Sequence, residues 1–271
     1  MKYSLSCRHT LAALREYADE IKINSKDIQR IRDFATEDWK GTKNIVIDLS
    51  DGGEIDWPQL KVYQEVLNIT IACPVSQFTT AQEYQFDYYW AYPISTYYEL
   101  QGLLDLGVSQ ILIEAPLTHD LIQLKKTIPS ETKIRMCINK CFNDYMPRKN
   151  GIVSSYIRPE DIIEYEPYIN VAEFVYTELS QELTYYRVYK KGIWNGNLNI
   201  LLPKLNYDVD NRGFELVPTF LEEDEPDIKL FAHRRISCGQ VCQRDPHKCK
   251  FCYTVFNFIT TLDKTINTKE N

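Results

Sequence analysis

Asn44-Ile45-Val46-Ile47-Asp48-Leu49 and, twenty residues on, Ile69-Thr70-Ile71-Ala72-Cys73 form the passage that decides the fold. Both runs are short, β-branched and apolar, and the segment between them, 57–67, has helical periodicity with Asp56 at the N-cap position. Strand, helix and strand at this spacing predict a βαβ unit of a parallel sheet. The same alternation extends in both directions. Strands are expected over 2–6, 20–24, 44–49, 69–73, 87–92, 110–114, 133–138 and 171–176. Helical patterns fill the intervals at 10–18, 26–39, 57–67, 80–84, 96–106, 117–127 and 159–168, with a closing helix at 181–191. Ser95 reads as a second N-cap and Gly107 as a C′ stop. Eight such units in about 200 residues predict an α/β fold, a (β/α)8 TIM-like barrel over 1–205, with a small Cys-rich module in the extension 206–271. An open doubly wound sheet is the rival, but no G-x-G-x-x-G follows any strand.

The 271 residues are 44% hydrophobic and 25% charged, enough for one sizeable core, and the net charge is -7. An acidic chain argues against a broad nucleic-acid footprint, leaving a local basic patch where His233-Arg234-Arg235 and 244–250 surround the tail cysteines. No apolar h-region and no run of eighteen apolar residues is present, so a cytoplasmic protein without a membrane anchor is expected.

In a barrel the C-terminal strand ends converge, and the residues predicted there are Cys7, Lys22 or Asn24, Asp48, Cys73, Tyr92, Glu114, Cys137 or Asn139, and Glu173. Asp48, Glu114 and Glu173 are candidate proton-transfer groups, and sequence does not choose among them. Cys7, Cys73 and Cys137 read as small buried hydrophobes. His119 reads as a surface residue of a first helical turn, and most of the 19 tyrosines as packing.

Half of the 8 cysteines are gathered in the tail as Cys238-x3-Cys242-x6-Cys249-x2-Cys252. The polar, turn-rich surroundings suit neither a core nor, in a reducing compartment, paired disulfides. Four thiolates are the right count for a tetrahedral zinc site or a 4Fe-4S cluster, with His247 able to replace one sulfur.

The connection after the seventh predicted strand carries Ile157-Arg158-Pro159-Glu160-Asp161, followed by Tyr165-Glu166 and Ala172-Glu173-Phe174. This resembles the I-R-P-E-D segment of peptidase family U-32, the collagenase-like proteins. Asn139-Lys140-Cys141, Asn195-Gly196-Asn197-Leu198 and Asp210-Asn211-Arg212 are similar to further family turns in the same order, over roughly 87–260. The resemblance implies a barrel, an iron–sulfur cofactor on four cysteines and oxygen-independent hydroxylation of RNA bases or quinone precursors. The chain departs from the pattern in two places. The loop at Cys141 lacks the following Cys-Pro, with Tyr145-Met146-Pro147 in its place, and the cysteines are collected in the tail. It looks like the short, barrel-only relatives, some of them encoded by phages.

Pro159 suits a first helical position, and Glu160 and Asp161 suit the positive helix end. Arg158 is then a candidate either for binding an anionic group or for clamping the loop to a carboxylate. The expectation is a metal-dependent enzyme that modifies an RNA base or a small aromatic substrate. Its rival is a zinc-stapled scaffold or interaction protein, for example a phage component. Proteolysis ranks last, since no His-Glu-x-x-His and no marked nucleophile is present.

Overall fold

In a computed structural model, residues 1–114, 117–138, 157, 159–174 and 179–192 are described. Eight strands appear where the alternation puts them: β1 Lys2–Ser6, β2 Glu20–Asn24, β3 Asn44–Asp48, β4 Asn68–Cys73, β5 Asp87–Trp90, β6 Gln110–Ile113, β7 Lys133–Cys137 and β8 Val171–Glu173. They form one sheet in the order β5-β4-β3-β2-β1-β8-β7-β6, and the registered pairs are all parallel. Its two ends meet through a bridge between Ile94 and Ile113, with the Ile94 N–H on the Leu112 carbonyl at 2.8 Å. The result is a nearly closed (β/α)8 barrel.

Register explains why this sheet curls around a polar centre. Ile21, Ile45 and Ile69 stand side by side on β2, β3 and β4, as do Ile23, Ile47 and Ile71, all of them buried. Strand alternation sends the residues between them to the opposite face: Lys22 beside Val46 and Thr70, and Asn24 beside Asp48 and Ala72. The isoleucine face is the outer one. Its apolar complement comes from Leu14 of α1 (Leu11–Tyr17), Phe34 of α2 (Ile31–Phe34), Leu60 of α3 (Trp57–Tyr63), Phe78 and Ala81 of α4 (Phe78–Glu83), and Leu100 and Leu103 of α5 (Tyr97–Asp105).

Local chemistry sets the helix ends. Asp56 caps α3 by accepting the Gln59 N–H at 3.0 Å, with Pro58 in the first turn. The cap of α5 is Thr96, one residue beyond the expected Ser95. Thr96 and Glu99 make a reciprocal capping box, and the Glu99 carboxylate takes the Ser95 N–H as well. Gly107, at φ +75°, ends α5 in a Schellman turn, its N–H on Leu104 and that of Val108 on Leu103. The expected helix over 26–39 is instead a 3-10 turn, Ser25–Arg30, and the short α2. Lys43 Nζ at 3.1 Å from the Phe34 carbonyl and the Thr36 hydroxyl on the Asp33 carbonyl take the acceptors a longer helix would use.

Contacts divide the chain into two compact units. The first, Met1–Ile113 with Ile128–Met136 and Ile169–Glu173, carries the sheet. Within the second lie α6 (Leu121–Thr127), α7 (Ile162–Tyr165) and α8 (Leu179–Lys191). There Pro159 opens a 3-10 turn, Pro159–Asp161, rather than an α-helix. The Ile157 carbonyl beside it accepts the buried Tyr189 hydroxyl at 2.6 Å, and Phe174 stacks on Tyr185 at 5.4 Å. No helix among the described residues is long and apolar enough to cross a membrane.

Candidate functional site

The inner face of the barrel holds a continuous chain of alternating charges. At its centre is Arg135, in the middle of β7 and fully buried. Its guanidinium donates to Glu20 of β2 through both terminal nitrogens, to the Gln110 Oε1 of β6 at 2.9 Å, and through Nε to Glu173 Oε1 of β8 at 2.5 Å. The Tyr89 ring of β5 lies under it, 4.9 Å from centroid to guanidinium carbon, and the Tyr89 hydroxyl reaches Glu173 at 3.4 Å. Side chains from β2, β5, β6, β7 and β8 meet only because the sheet is curled around them. Five donor positions in a planar fork make arginine the cation able to serve three acceptors at once.

Glu173 carries the chain onward. Its second oxygen accepts from Lys22 Nζ at 3.4 Å, and the same ammonium stands 3.0 Å from Asp48 Oδ2. The other Asp48 oxygen accepts the Ser50 N–H at 2.9 Å, and the Ser50 carbonyl accepts the Tyr92 hydroxyl at 2.8 Å. Exposure rises along this path. Arg135 is sealed, the Glu173 side chain is 5% exposed, Asp48 12% and Lys22 26%. Lys22, Asp48 and Glu173 therefore stand toward the C-terminal strand ends, where barrels build their sites. Trp90 packs edge-on against the half-exposed Tyr92 at 5.8 Å, giving the same rim an aromatic element.

Electrostatics fix the charge states. Burial alone would neutralise Glu173, yet Lys22 and Arg135 outweigh it and hold the carboxyl at about 2. Burial likewise disfavours the Lys22 ammonium, but Glu173, Tyr89 and Asp48 around it push its pKa well above the ordinary lysine value. Lys22 is thus a fixed donor, unsuited to Schiff-base chemistry or to accepting a proton at neutral pH. Tyr89 is pushed up by burial and stays a phenol.

Of the residues singled out by sequence, Lys22, Asp48 and Glu173 are brought together, and Tyr92 joins through Ser50. Glu114 belongs to the second unit, where its carbonyl accepts the Thr118 N–H at 3.3 Å. Cys7, Cys73 and Cys137 are buried, as expected. Burial pushes the Cys7 thiol up to about 11, with Asp27 adding to it, and Cys73 up to about 12. Arg158, Cys141 and the tail cysteines Cys238, Cys242, Cys249 and Cys252 lie outside the described residues. Among the described residues no group of three or more His, Cys, Asp or Glu is arranged to hold a metal ion.

Arg135, Glu20 and Tyr89 escaped the sequence reading. A trace was there: Ile134-Arg135-Met136 places an arginine between two apolar strand residues, and Glu20-Ile21-Lys22-Ile23-Asn24 is polar at every inward position.

No family model matches the chain, and no curated protein does. It is similar to one solved structure, a chain of a cube-shaped, highly porous protein cage designed by fusing symmetric oligomeric domains, at 11% identity over 70% of each chain with a TM-score of 0.43. So distant a likeness carries no argument about activity.

Proposed function

We propose that the protein is a U-32-like metal-dependent barrel enzyme that modifies a nucleic-acid base or a small aromatic molecule. The observation that carries this reading is Lys22, in the middle of β2, within 3.4 Å of both Asp48 and Glu173, the last residues of β3 and β8. Trp90 and Tyr92 supply an aromatic face on the same rim. In this reading Asp48, the more exposed of the two carboxylates that meet at Lys22, accepts the substrate proton, and Lys22 polarises a substrate oxygen. Glu173 holds Lys22 in place and stays ionised. Glu114 and Arg158 keep the candidate roles of the sequence reading, proton handling for Glu114 and anion binding, in place of a loop clamp, for Arg158. Cys238, Cys242, Cys249 and Cys252 would hold the metal. Bound there, a 4Fe-4S cluster supplies electron transfer and a zinc ion supplies fixed charge. The working compartment is the cytoplasm, where four thiols remain available as ligands.

A second reading is favoured by one observation: Arg135 donates to Glu20, Gln110 and Glu173 together inside the barrel. A polar plug of this kind serves a scaffold as well as an enzyme, and a tail zinc would then be a staple in a phage or interaction component. Anaerobic purification with iron, sulfide and zinc analysis and an ultraviolet–visible spectrum separates the two. The enzyme reading expects stoichiometric iron and sulfide, lost on replacing Cys238 or Cys252 with serine. Stoichiometric zinc with no substrate turnover supports the scaffold, and a colourless, metal-free protein ends both.

A further inference from the structure

The geometry points to recognition of an uncharged amide or lactam edge by the Lys22–Asp48 pair. This rests on the reading of the strand ends as the functional site, but not on any metal. Lys22 Nζ has three N–H donors, and its partners among the described residues are two carboxylate oxygens, Asp48 Oδ2 and Glu173 Oε2, so one donor remains for a ligand. Asp48 Oδ2 forms an ion pair with that ammonium at 3.0 Å and takes no hydrogen bond from any described residue, while Oδ1 accepts the Ser50 N–H. A donor and an acceptor thus lie side by side at the most exposed part of the inner ionic chain, the complement of a C=O and an N–H on neighbouring ligand atoms.

Charge selects against the alternatives. Two cations, Lys22 and Arg135, face three carboxylates, Glu20, Asp48 and Glu173. A ligand anion that reached Lys22 would also meet the Asp48 and Glu173 oxygens, and a cation that reached Asp48 would meet Lys22. A neutral dipole meets neither repulsion and satisfies both the spare donor and the acceptor. The pair is held rigid for this task. Glu173 is fixed from below by Arg135, and Asp48 by the Ser50 N–H, whose carbonyl is tied in turn to Tyr92. Buried close to Glu20 in the β1–β2 register, the Ser4 hydroxyl has no hydrogen-bond partner among the described residues, so the inner face also keeps an unused polar atom for a neutral ligand or water.

The test uses the whole protein and three small probes, 2-pyrrolidinone, acetate and guanidinium, followed through the amide resonance of Ser50 in nitrogen–proton correlation spectra. Pyrrolidinone is expected to shift this resonance saturably, while acetate and guanidinium at equal concentration leave it in place. Lys22→Met and Asp48→Asn should each weaken the pyrrolidinone response at least tenfold, and Lys22→Arg, which keeps charge and donors, should retain a measurable part. A larger response to acetate means an anion site, a larger response to guanidinium means a carboxylate site, and no response means no site. Any of the three overturns the inference. Should Lys22→Met lose its dispersed spectrum, Asp48→Asn and Lys22→Arg still decide the matter. A metal-free protein that binds pyrrolidinone would refute the metal reading and leave this one standing.

Discussion

Replacing Arg135 with methionine removes the one cation that serves both Glu20 and Glu173. Arg135 is fully buried, and Glu20 has no other cationic partner among the described residues, so the variant leaves a carboxylate in the barrel interior without its counter-charge. Breaking a buried pair in this way costs about 3–5 kcal/mol. Against a total stability of about 5–15 kcal/mol for a domain, that is a large share. At a slope of about 2 kcal/mol per molar urea, the unfolding midpoint should fall by about 2 M. Urea titrations of wild type and Arg135→Met at pH 7 measure the loss. Adding Glu20→Met to the variant should recover most of the loss, because an apolar pair of similar volume needs no counter-charge. A loss below about 1 kcal/mol at pH 7, or no recovery in the double variant, would refute the claim that this network is desolvated.

Glu173, held at about 2 against an ordinary 4.5, contributes stability that is present above pH 4.5 and is lost as pH falls from there toward 2. At about 1.4 kcal/mol per unit the contribution is roughly 3 kcal/mol, and Glu173→Gln should flatten that part of the acid-unfolding curve. Thr96→Ala removes the capping box of α5 and should cost about 1 kcal/mol in urea unfolding. Gly107→Ala forces a side chain into φ +75° and should cost about 1 kcal/mol, whereas Gln85→Gly, at φ 59°, should be neutral or slightly stabilising. Native protein at pH 8 should resist thiol reagents at Cys7, Cys73 and Cys137, and peptide mass spectrometry should find all three labelled once urea is added.

Much of the barrel is written in local pattern. β-branched runs such as Ile45-Val46-Ile47 and Ile69-Thr70-Ile71 fix strands because one face of each must be buried, and caps at Asp56 and Gly107 fix helix ends because backbone groups there need partners within a few residues. Both are short-range effects, so the chain reveals them in short-range order. Where a competing side chain intervenes, as Lys43 does at the Phe34 carbonyl, the expected helix over 26–39 is cut short. Lys22, Asp48 and Glu173 were legible as candidates because strand ends converge in any barrel. Their selection from a longer roster that included Cys7, Cys73 and Glu114 was not.

The sequence by itself determined the order of strands and helices and the polar inward face of β2, since period-two alternation is a property of neighbouring residues. Tertiary structure alone decided that Arg135 would be paired with Glu20, 115 residues away, and with Glu173. That pairing depends on sheet curvature and on the stagger between strands, which bring inward side chains of β2, β7 and β8 to one point and leave Lys22, among the described residues, between Asp48 and Glu173 with a donor to spare.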